Sequence, residues 1–131
     1  MGITMSKHRI LLVEDSKPAQ QAAKHLLTDL QCSVDIAGHG QKAIEQCDRV
    51  EYDLVLMDLS LYPGENGFEI AKLIRNHSLL NQNTPIVALS IHSEAQFHEQ
   101  ITQSQMNGFI AKPLSRFEAA ELITLLDSNA L

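Results

Sequence analysis

The chain has 131 residues and a formal net charge of −6 at pH 7, which fits a single domain with a substantial core. This acidic balance, without a basic cluster, argues against a protein that follows nucleic-acid phosphates directly. No apolar run approaches the roughly 20 residues of a membrane-spanning helix. We therefore expect a cytoplasmic protein that does not contact a membrane directly.

The N-terminal residues and the cysteines change this expectation little. The first residues lack the apolar core of a signal peptide. Gly2 after Met1, with Ser6, matches the N-myristoylation pattern, but so short a pattern recurs by chance. Cys32 and Cys47 have neither CxxC nor metal-ligand spacing, so we expect reduced, partly buried thiols.

Strand and helix patterns alternate along the chain. Apolar runs of strand length occupy residues 9–14, 32–37, 52–58, 85–90 and 108–111. A helical pattern follows each run, beginning near Ser16, Gly40, Phe68, Ser93 and Ser115. The alternation predicts an α/β fold, with one doubly wound parallel sheet covered by helices on both faces. We expect this domain to span residues 8–127, with tails at 1–7 and 128–131.

The apolar positions also predict which helix faces point inward. In the third helix we expect Ile70, Leu73 and Ile74 to face the core. The fourth helix is only weakly apolar, with Phe97 and Ile101. The last helix is expected to be lined by Phe117, Leu122, Ile123, Leu125 and Leu126.

Polar side chains lie where four of the predicted strands end. Glu14 and Asp15 follow the first strand, Asp58 ends the third, Ser90 ends the fourth and Lys112 follows the fifth. Because the carboxyl ends of parallel strands meet at one edge of the sheet, we expect these groups to converge. Three adjacent carboxylates need positive charge. Mg²⁺, which prefers oxygen ligands, and the lysine would supply that charge.

This set of groups suits the handling of a phosphoryl group. Asp58 would be the nucleophile and form an acyl phosphate. Mg²⁺ and Lys112 would stabilise charge on the transferring oxygens, and Ser90 could donate a hydrogen bond to one of them. Asp53, which begins the same apolar run as Asp58, has no partner that we identify from the sequence.

Four motifs resemble the receiver domain of bacterial two-component response regulators, from about His8 to Leu126. They are Leu12-Val13-Glu14-Asp15, Tyr52-Asp53-Leu54-Val55-Leu56-Met57-Asp58, Ile86-Val87-Ala88-Leu89-Ser90 and Ala111-Lys112-Pro113-Leu114. Within the family, the chain is similar to the receivers of hybrid sensor histidine kinases, although a free-standing regulator fits almost as well. The sequence may also be a fragment of a longer protein. The resemblance implies a flavodoxin-like sheet of order 2-1-3-4-5 with five helices.

The resemblance also implies roles for individual residues. Asp58 would accept a phosphoryl group from a histidine kinase or a histidine phosphotransfer domain, and the domain would promote its own phosphorylation and dephosphorylation. Glu14, Asp15, Asp58 and the backbone carbonyl of Ser60 would bind Mg²⁺ or Mn²⁺. Ser90 and Lys112 would contact the phosphate, and the Lys112–Pro113 bond would be cis.

Signal output is implied for a surface remote from the acids. Phe109 holds the position of the switch aromatic. It would rotate on phosphorylation and change the face formed by the fourth helix, fifth strand and fifth helix. That face could also form a homodimer.

Two departures from the family pattern lie close to the expected site. Pro63 and Gly67 each lie one place further along than usual, so the loop carries an inserted residue, which weakens the Ser60 assignment. Ile91 stands where a small residue is usual, next to the phosphate. We hypothesise that Ile91 hinders the attacking water and prolongs the acyl phosphate, and that the neighbouring His92 influences the same step.

Other function classes fit the sequence less well. A degenerate receiver could act only as a protein-binding module, but the complete set of acids, hydroxyl and lysine argues against it. A haloacid-dehalogenase-type aspartyl-phosphate phosphohydrolase would need an Asp-x-Asp motif after the first strand and usually a cap domain. In a flavin-binding electron carrier, Glu14 and Asp15 would repel the flavin phosphate.

Overall fold

The computed structural model describes residues 7–61 and 64–131. Its strands are β1 (Arg9–Val13), β2 (Ser33–Ala37), β3 (Leu54–Asp58), β4 (Ser60–Leu61), β5 (Glu65–Asn66), β6 (Ile86–Ser90) and β7 (Gly108–Ala111). Its helices are α1 (Lys17–Asp29), α2 (Gly40–Arg49), α3 (Gly67–His77), α4 (Glu94–Gln103) and α5 (Arg116–Asp127). The N-myristoylation pattern and Pro63 lie outside the described residues.

One parallel sheet carries the fold, with strand order β2-β1-β3-β6-β7. Since β4 and β5 form a separate two-stranded sheet, this is the order 2-1-3-4-5 when the long strands are counted along the chain. The predicted α/β fold and strand order are confirmed.

The central strands are apolar because both of their faces are covered. In β1, Ile10 and Leu12 pack toward Leu27 of α1 and the buried face of α5. The alternate residues Leu11 and Val13 belong to the cluster on the opposite face, with residues of α2 and α3. This period of two explains why neither β1 nor β3 shows alternating polarity in the sequence.

Two predicted inward positions are wrong. Leu73 is 43% exposed, because α3 packs through Ile70, Ala71 and Ile74. Phe117 is 75% exposed, because the buried face of α5 starts at Ala119. Two positions apart on a helix means about 200° of rotation, which puts Phe117 on the solvent side.

Helix α4 is held to the domain by few apolar contacts. None of its described residues, Glu94–Gln103, is buried. Phe97 and Ile101 are partly buried and pack against a small cluster of Leu59, Phe68 and Ala88. This agrees with the weakly apolar pattern of the fourth predicted helix.

The loop after Asp58 folds back as a hairpin that the sequence did not predict. Ser60 pairs with Asn66 in the antiparallel ladder of β4 and β5. Asn66 caps α3 by accepting a hydrogen bond from the Phe68 N–H at 2.8 Å. Gly67 follows so closely that a Cβ there would overlap the Asp58 carbonyl oxygen, which requires glycine at this position.

The remaining expectations concern the cysteines and the membrane. Cys32 and Cys47 are free thiols, and both are buried rather than partly buried. Within residues 7–61 and 64–131, every helix is too short or too polar to cross a bilayer.

Candidate functional site

The strand register brings the predicted site residues together at one edge of the sheet. Val13 of β1 is paired with Met57 of β3, so the next residues, Glu14 and Asp58, lie side by side. Asp58 in turn is paired with Leu89, which puts Ser90 just beyond it. Ser90 is paired with Ala111, and the next residue is Lys112, whose N–H donates to the Ser90 carbonyl at 2.8 Å.

Lys112 occupies the space between two buried carboxylates. Its Nζ lies 2.5 Å from Oε1 of Glu14 and 2.9 Å from Oδ2 of Asp58. Backbone groups take the other carboxylate oxygens. The Ser16 N–H donates to Oε2 of Glu14 at 3.1 Å, and the Ser60 N–H donates to Oδ1 of Asp58 at 3.0 Å. The Lys112–Pro113 peptide bond is cis.

Burial and hydrogen bonding shift the pKa values of Glu14 and Lys112 in opposite directions. Burial raises the pKa of Glu14 above its ordinary value, and the hydrogen bond from Lys112 opposes part of that shift. Burial alone would lower the pKa of Lys112. Its hydrogen bonds to Glu14 and Asp58 outweigh burial, so that the pKa of Lys112 is raised. The lysine therefore remains a fixed positive charge near neutral pH.

Three carboxylates of the site can face one cation. Glu14, Asp15 and Asp58 each offer an oxygen, and these oxygens lie within 4.8 Å of one another. An all-oxygen set of this kind suits a hard divalent cation such as Mg²⁺. The residues present therefore fit the metal expected from the sequence.

A cavity of about 210 Å³ opens beside these acids. Ser60, Ser90 and Ile91 line it together with the acids and Lys112. Ile91 is 78% exposed, at the solvent side of the site. Ser90 is buried, and its Oγ accepts a hydrogen bond from the His92 N–H at 3.0 Å.

Phe109 and the His92 ring lie away from this cavity. Phe109 is paired with Ala88 across the sheet and, like Phe97 of α4, packs against the cluster of Leu59, Phe68 and Ala88. The His92 ring makes an edge contact with Phe97, with centroids 5.9 Å apart. Ring contacts thus connect the loop after Ser90 to Phe97 of α4, and Phe97 in turn contacts Phe68 of α3.

A family model for the response regulator receiver domain matches residues 10–126. The chain belongs to this family. This chain is 32% identical over 119 residues, 89% of its own length, to the transcription factor SKN7 of Chaetomium thermophilum. It is 32% identical over 129 residues, 96% of its length, to hybrid signal transduction histidine kinase E of Dictyostelium discoideum. It spans only 15% and 7% of the lengths of these two relatives.

Solved structures agree with the fold and the family. The receiver domain of sensor histidine kinase PA1611 from Pseudomonas aeruginosa, with a magnesium ion coordinated in its active-site cleft, superimposes with a TM-score of 0.82 and 30% identity. That alignment covers 92% of this chain and 98% of the other. The chemotaxis response regulator CheY4 of Vibrio cholerae shares the fold, with a TM-score of 0.82 and 24% identity over 94% of this chain and 99% of that one.

Sequence reasoning missed two contacts close to the receiver site. Gln20 of α1 is buried, and its Nε2 donates to the Glu14 carbonyl at 2.6 Å. The available signal was a polar residue on the otherwise apolar face of α1. Glu65 of the hairpin accepts a hydrogen bond from the Gly40 N–H at 2.9 Å, for which no sequence signal was available. Away from the site, Asp53 does have a partner, because it accepts a hydrogen bond from the Arg9 N–H at 2.7 Å.

Proposed function

We propose that this receiver domain is a phosphorylation switch in a phosphorelay, and that Asp58 accepts the phosphoryl group from a phosphohistidine donor. The observation that carries the proposal is the position of the Asp58 carboxylate, which is buried beside Lys112 and the Glu14–Asp15 pair and lines a cavity. The donor would be a histidine kinase or a histidine phosphotransfer domain.

In the proposed transfer, an Asp58 carboxylate oxygen attacks the phosphorus of the phosphohistidine. A P–O bond forms, the P–N bond breaks, and the imidazole nitrogen leaves with the bonding electron pair. Lys112, now paired with Asp58 at 2.9 Å, would follow the negative charge to a phosphoryl oxygen. Ser90 would exchange its present bond from the His92 N–H for one that it donates to the phosphate.

Glu14, Asp15, Asp58 and the Ser60 carbonyl would hold Mg²⁺, or Mn²⁺ in its place. When bound, the ion supplies positive charge that offsets the carboxylates and the incoming phosphate. The hairpin gives the Ser60 assignment support, since the Ser60 N–H already bonds to Asp58. Ser60 therefore stays next to the nucleophile despite the inserted residue in this loop.

The output would be a change in the face formed by α4, β7 and α5. Movement of Ser90 toward the phosphate would withdraw its acceptor from the His92 N–H. Phe109, packed below α4, would then rotate, and α4 would shift because it has only partly buried contacts. This face would bind the next protein of the pathway or a second copy of the domain.

The domain would work in the cytoplasm, either free-standing or as part of a hybrid kinase. Its net charge of −6 favours protein partners over direct contact with nucleic acid or a membrane. Any DNA binding in a longer relative, such as a transcription factor, would belong to another segment.

Incubation with acetyl phosphate and Mg²⁺, followed by intact-mass measurement, tests the phosphoacceptor. We expect one added phosphoryl group, which is lost in Asp58→Asn and reduced by a chelator. An exposed aspartate provides the matched control Asp48→Asn, which should be modified like the wild type. An unmodified wild-type mass would contradict the proposal and favour a protein-binding module. A modification that survives Asp58→Asn would also contradict it, because the phosphoryl group would then be on another residue.

A further inference from the structure

We propose that Gln20 is a positioning residue for the acidic pair Glu14 and Asp15, and that it determines how tightly the site binds Mg²⁺. This inference rests on the proposed function, because it concerns the same metal site. Gln20 touches neither the cavity nor the carboxylates that would bind the ion. It acts on the backbone that carries them.

The backbone of Glu14 is held from two sides. Its N–H donates to the Ala37 carbonyl of β2 at 3.0 Å, which extends the ladder one residue beyond the end of β1. Its carbonyl accepts the bond from Gln20 Nε2 at 2.6 Å, and this bond is buried. Sheet and helix together therefore fix the point from which the Glu14 side chain enters the site and at which Asp15 follows.

The place of Gln20 in α1 is chemically unusual. It lies with Ala23 and Leu27 on the buried face of the helix, and it is only 8% exposed. Burying an amide there costs free energy unless the amide forms hydrogen bonds, whereas an apolar side chain would carry no such cost. The bond to Glu14 offsets this cost and connects α1 to the acidic loop.

Metal binding depends on the hydrogen bond from Gln20 to the Glu14 carbonyl. Glu14 bonds to Lys112 and to the Ser16 N–H, and its carboxylate must adjust these bonds to share an ion with Asp15 and Asp58, whose oxygens lie within 4.8 Å. If the loop backbone stays fixed, only the side chain has to reorganise. If the Gln20 bond is lost, the loop must also be ordered when the ion binds, and that ordering lowers the affinity.

Calorimetric titration with MgCl₂ tests this role in the wild type, Gln20→Met and Gln21→Met. Methionine keeps the length of glutamine and removes the donor. Gln21 is its exposed neighbour on α1 and provides the matched control. Loss of outer-shell partners typically weakens metal binding by about 10–100-fold, and we expect about tenfold for Gln20→Met because the bond is to backbone. Gln21→Met should bind like the wild type.

Hydrogen–deuterium exchange without metal supplies a second readout. We expect faster exchange at residues 14–16 in Gln20→Met, with the rest of the sheet unchanged. If that variant does not fold, Gln20→Asn, whose amide is too short to make the same bond, takes its place in both measurements. Wild-type affinity and exchange in a folded Gln20 variant would overturn the inference and leave the proposed function standing. A wild type that does not bind Mg²⁺ would overturn both.

Discussion

Lys112 Nζ lies 2.9 Å from the Asp58 carboxylate, although the two residues are 54 positions apart in the sequence. The same ammonium group contacts Glu14, so one cation serves two buried carboxylates. Adjacent Asp15 adds a third acid to the cluster. Lys112 therefore supplies positive charge to two buried carboxylates of the site, and a bound divalent cation would supply more.

Removal of Lys112 should destabilise the metal-free domain. Lys112→Met leaves Glu14 and Asp58 buried without their cation, and breaking a buried pair in this way is costly. Because the Lys112 side chain is 20% exposed, we expect a loss of about 2 kcal/mol in the free energy of unfolding, less than for a fully buried pair. Urea denaturation in a chelator measures it.

Mg²⁺ should restore much of that loss, because it supplies positive charge to the same carboxylates. The exposed residue Lys24 of α1 gives the matched control Lys24→Met, which should change stability little. Equal stability of Lys112→Met and the wild type in the chelator would show that the pairing does not support the fold.

Ile91 should control how long the phosphorylated form lasts. It is 78% exposed and lines the cavity beside Asp58, where it can obstruct the path of an attacking water. We expect Ile91→Ala to shorten the acyl phosphate lifetime by about tenfold, which corresponds to a barrier lower by about 1.4 kcal/mol. Decay of the phosphorylated mass after removal of acetyl phosphate measures the lifetime. Leu79→Ala, on an exposed loop, is the control, and an unchanged lifetime in Ile91→Ala would refute the role.

Arg75 should anchor the C-terminal end of α4. Its guanidinium donates to the Thr84 carbonyl at 2.6 Å, to the Gln105 carbonyl at 3.0 Å and to Oδ1 of Asn107 at 2.8 Å. Each bond has a charged donor, so we expect Arg75→Met to lower the free energy of unfolding by about 2 kcal/mol. Hydrogen exchange at residues 103–108 should also become faster.

The control for Arg75 lies one turn earlier on the same helix. Lys72 is paired only with Glu69 among the described residues, at 3.4 Å on the surface, and Lys72→Met should have little effect. If Arg75→Met were no less stable than Lys72→Met, the network would not anchor α4.

The Cys47 thiol should be unreactive in the folded domain. Burial raises its pKa to about 12 from an ordinary value of 9.0, which cuts the thiolate fraction by about 1000-fold near neutral pH. We expect an aromatic disulfide reagent to modify Cys47 at least that much more slowly in buffer than in urea. Cys32→Ser isolates the signal. Reaction at the same rate in both solutions would mean that the core around Cys47 opens freely.

Much of this site could be predicted because its residues follow long apolar strands. The runs before Glu14 and Asp58 are buried on both faces, and parallel register alone puts the two acids side by side. The fold class follows from the alternation of these strands with helices, whereas the strand order was implied by the resemblance to receiver domains. The cation opposite the acids follows from the strand before Lys112.

What escaped prediction depends on contacts between elements. Strands β4 and β5 are too short to show periodicity, so the hairpin and the bond from Gly40 to Glu65 left no pattern in the sequence. Leu73 and Phe117 are apolar enough for a core. Whether their sides of the helices face the core or the solvent depends on how α3 and α5 pack on the sheet. The Gln20 bond to Glu14 likewise depends on where α1 docks.

Identification of the modified residue tests the central claim most directly. After incubation with acetyl phosphate and Mg²⁺, borohydride converts an aspartyl phosphate to homoserine, and peptide mapping by mass spectrometry locates the change. We expect homoserine at position 58, with no such product when Mg²⁺ is removed by a chelator. Homoserine at position 15 or at any other aspartate, with Asp58 intact, would contradict it.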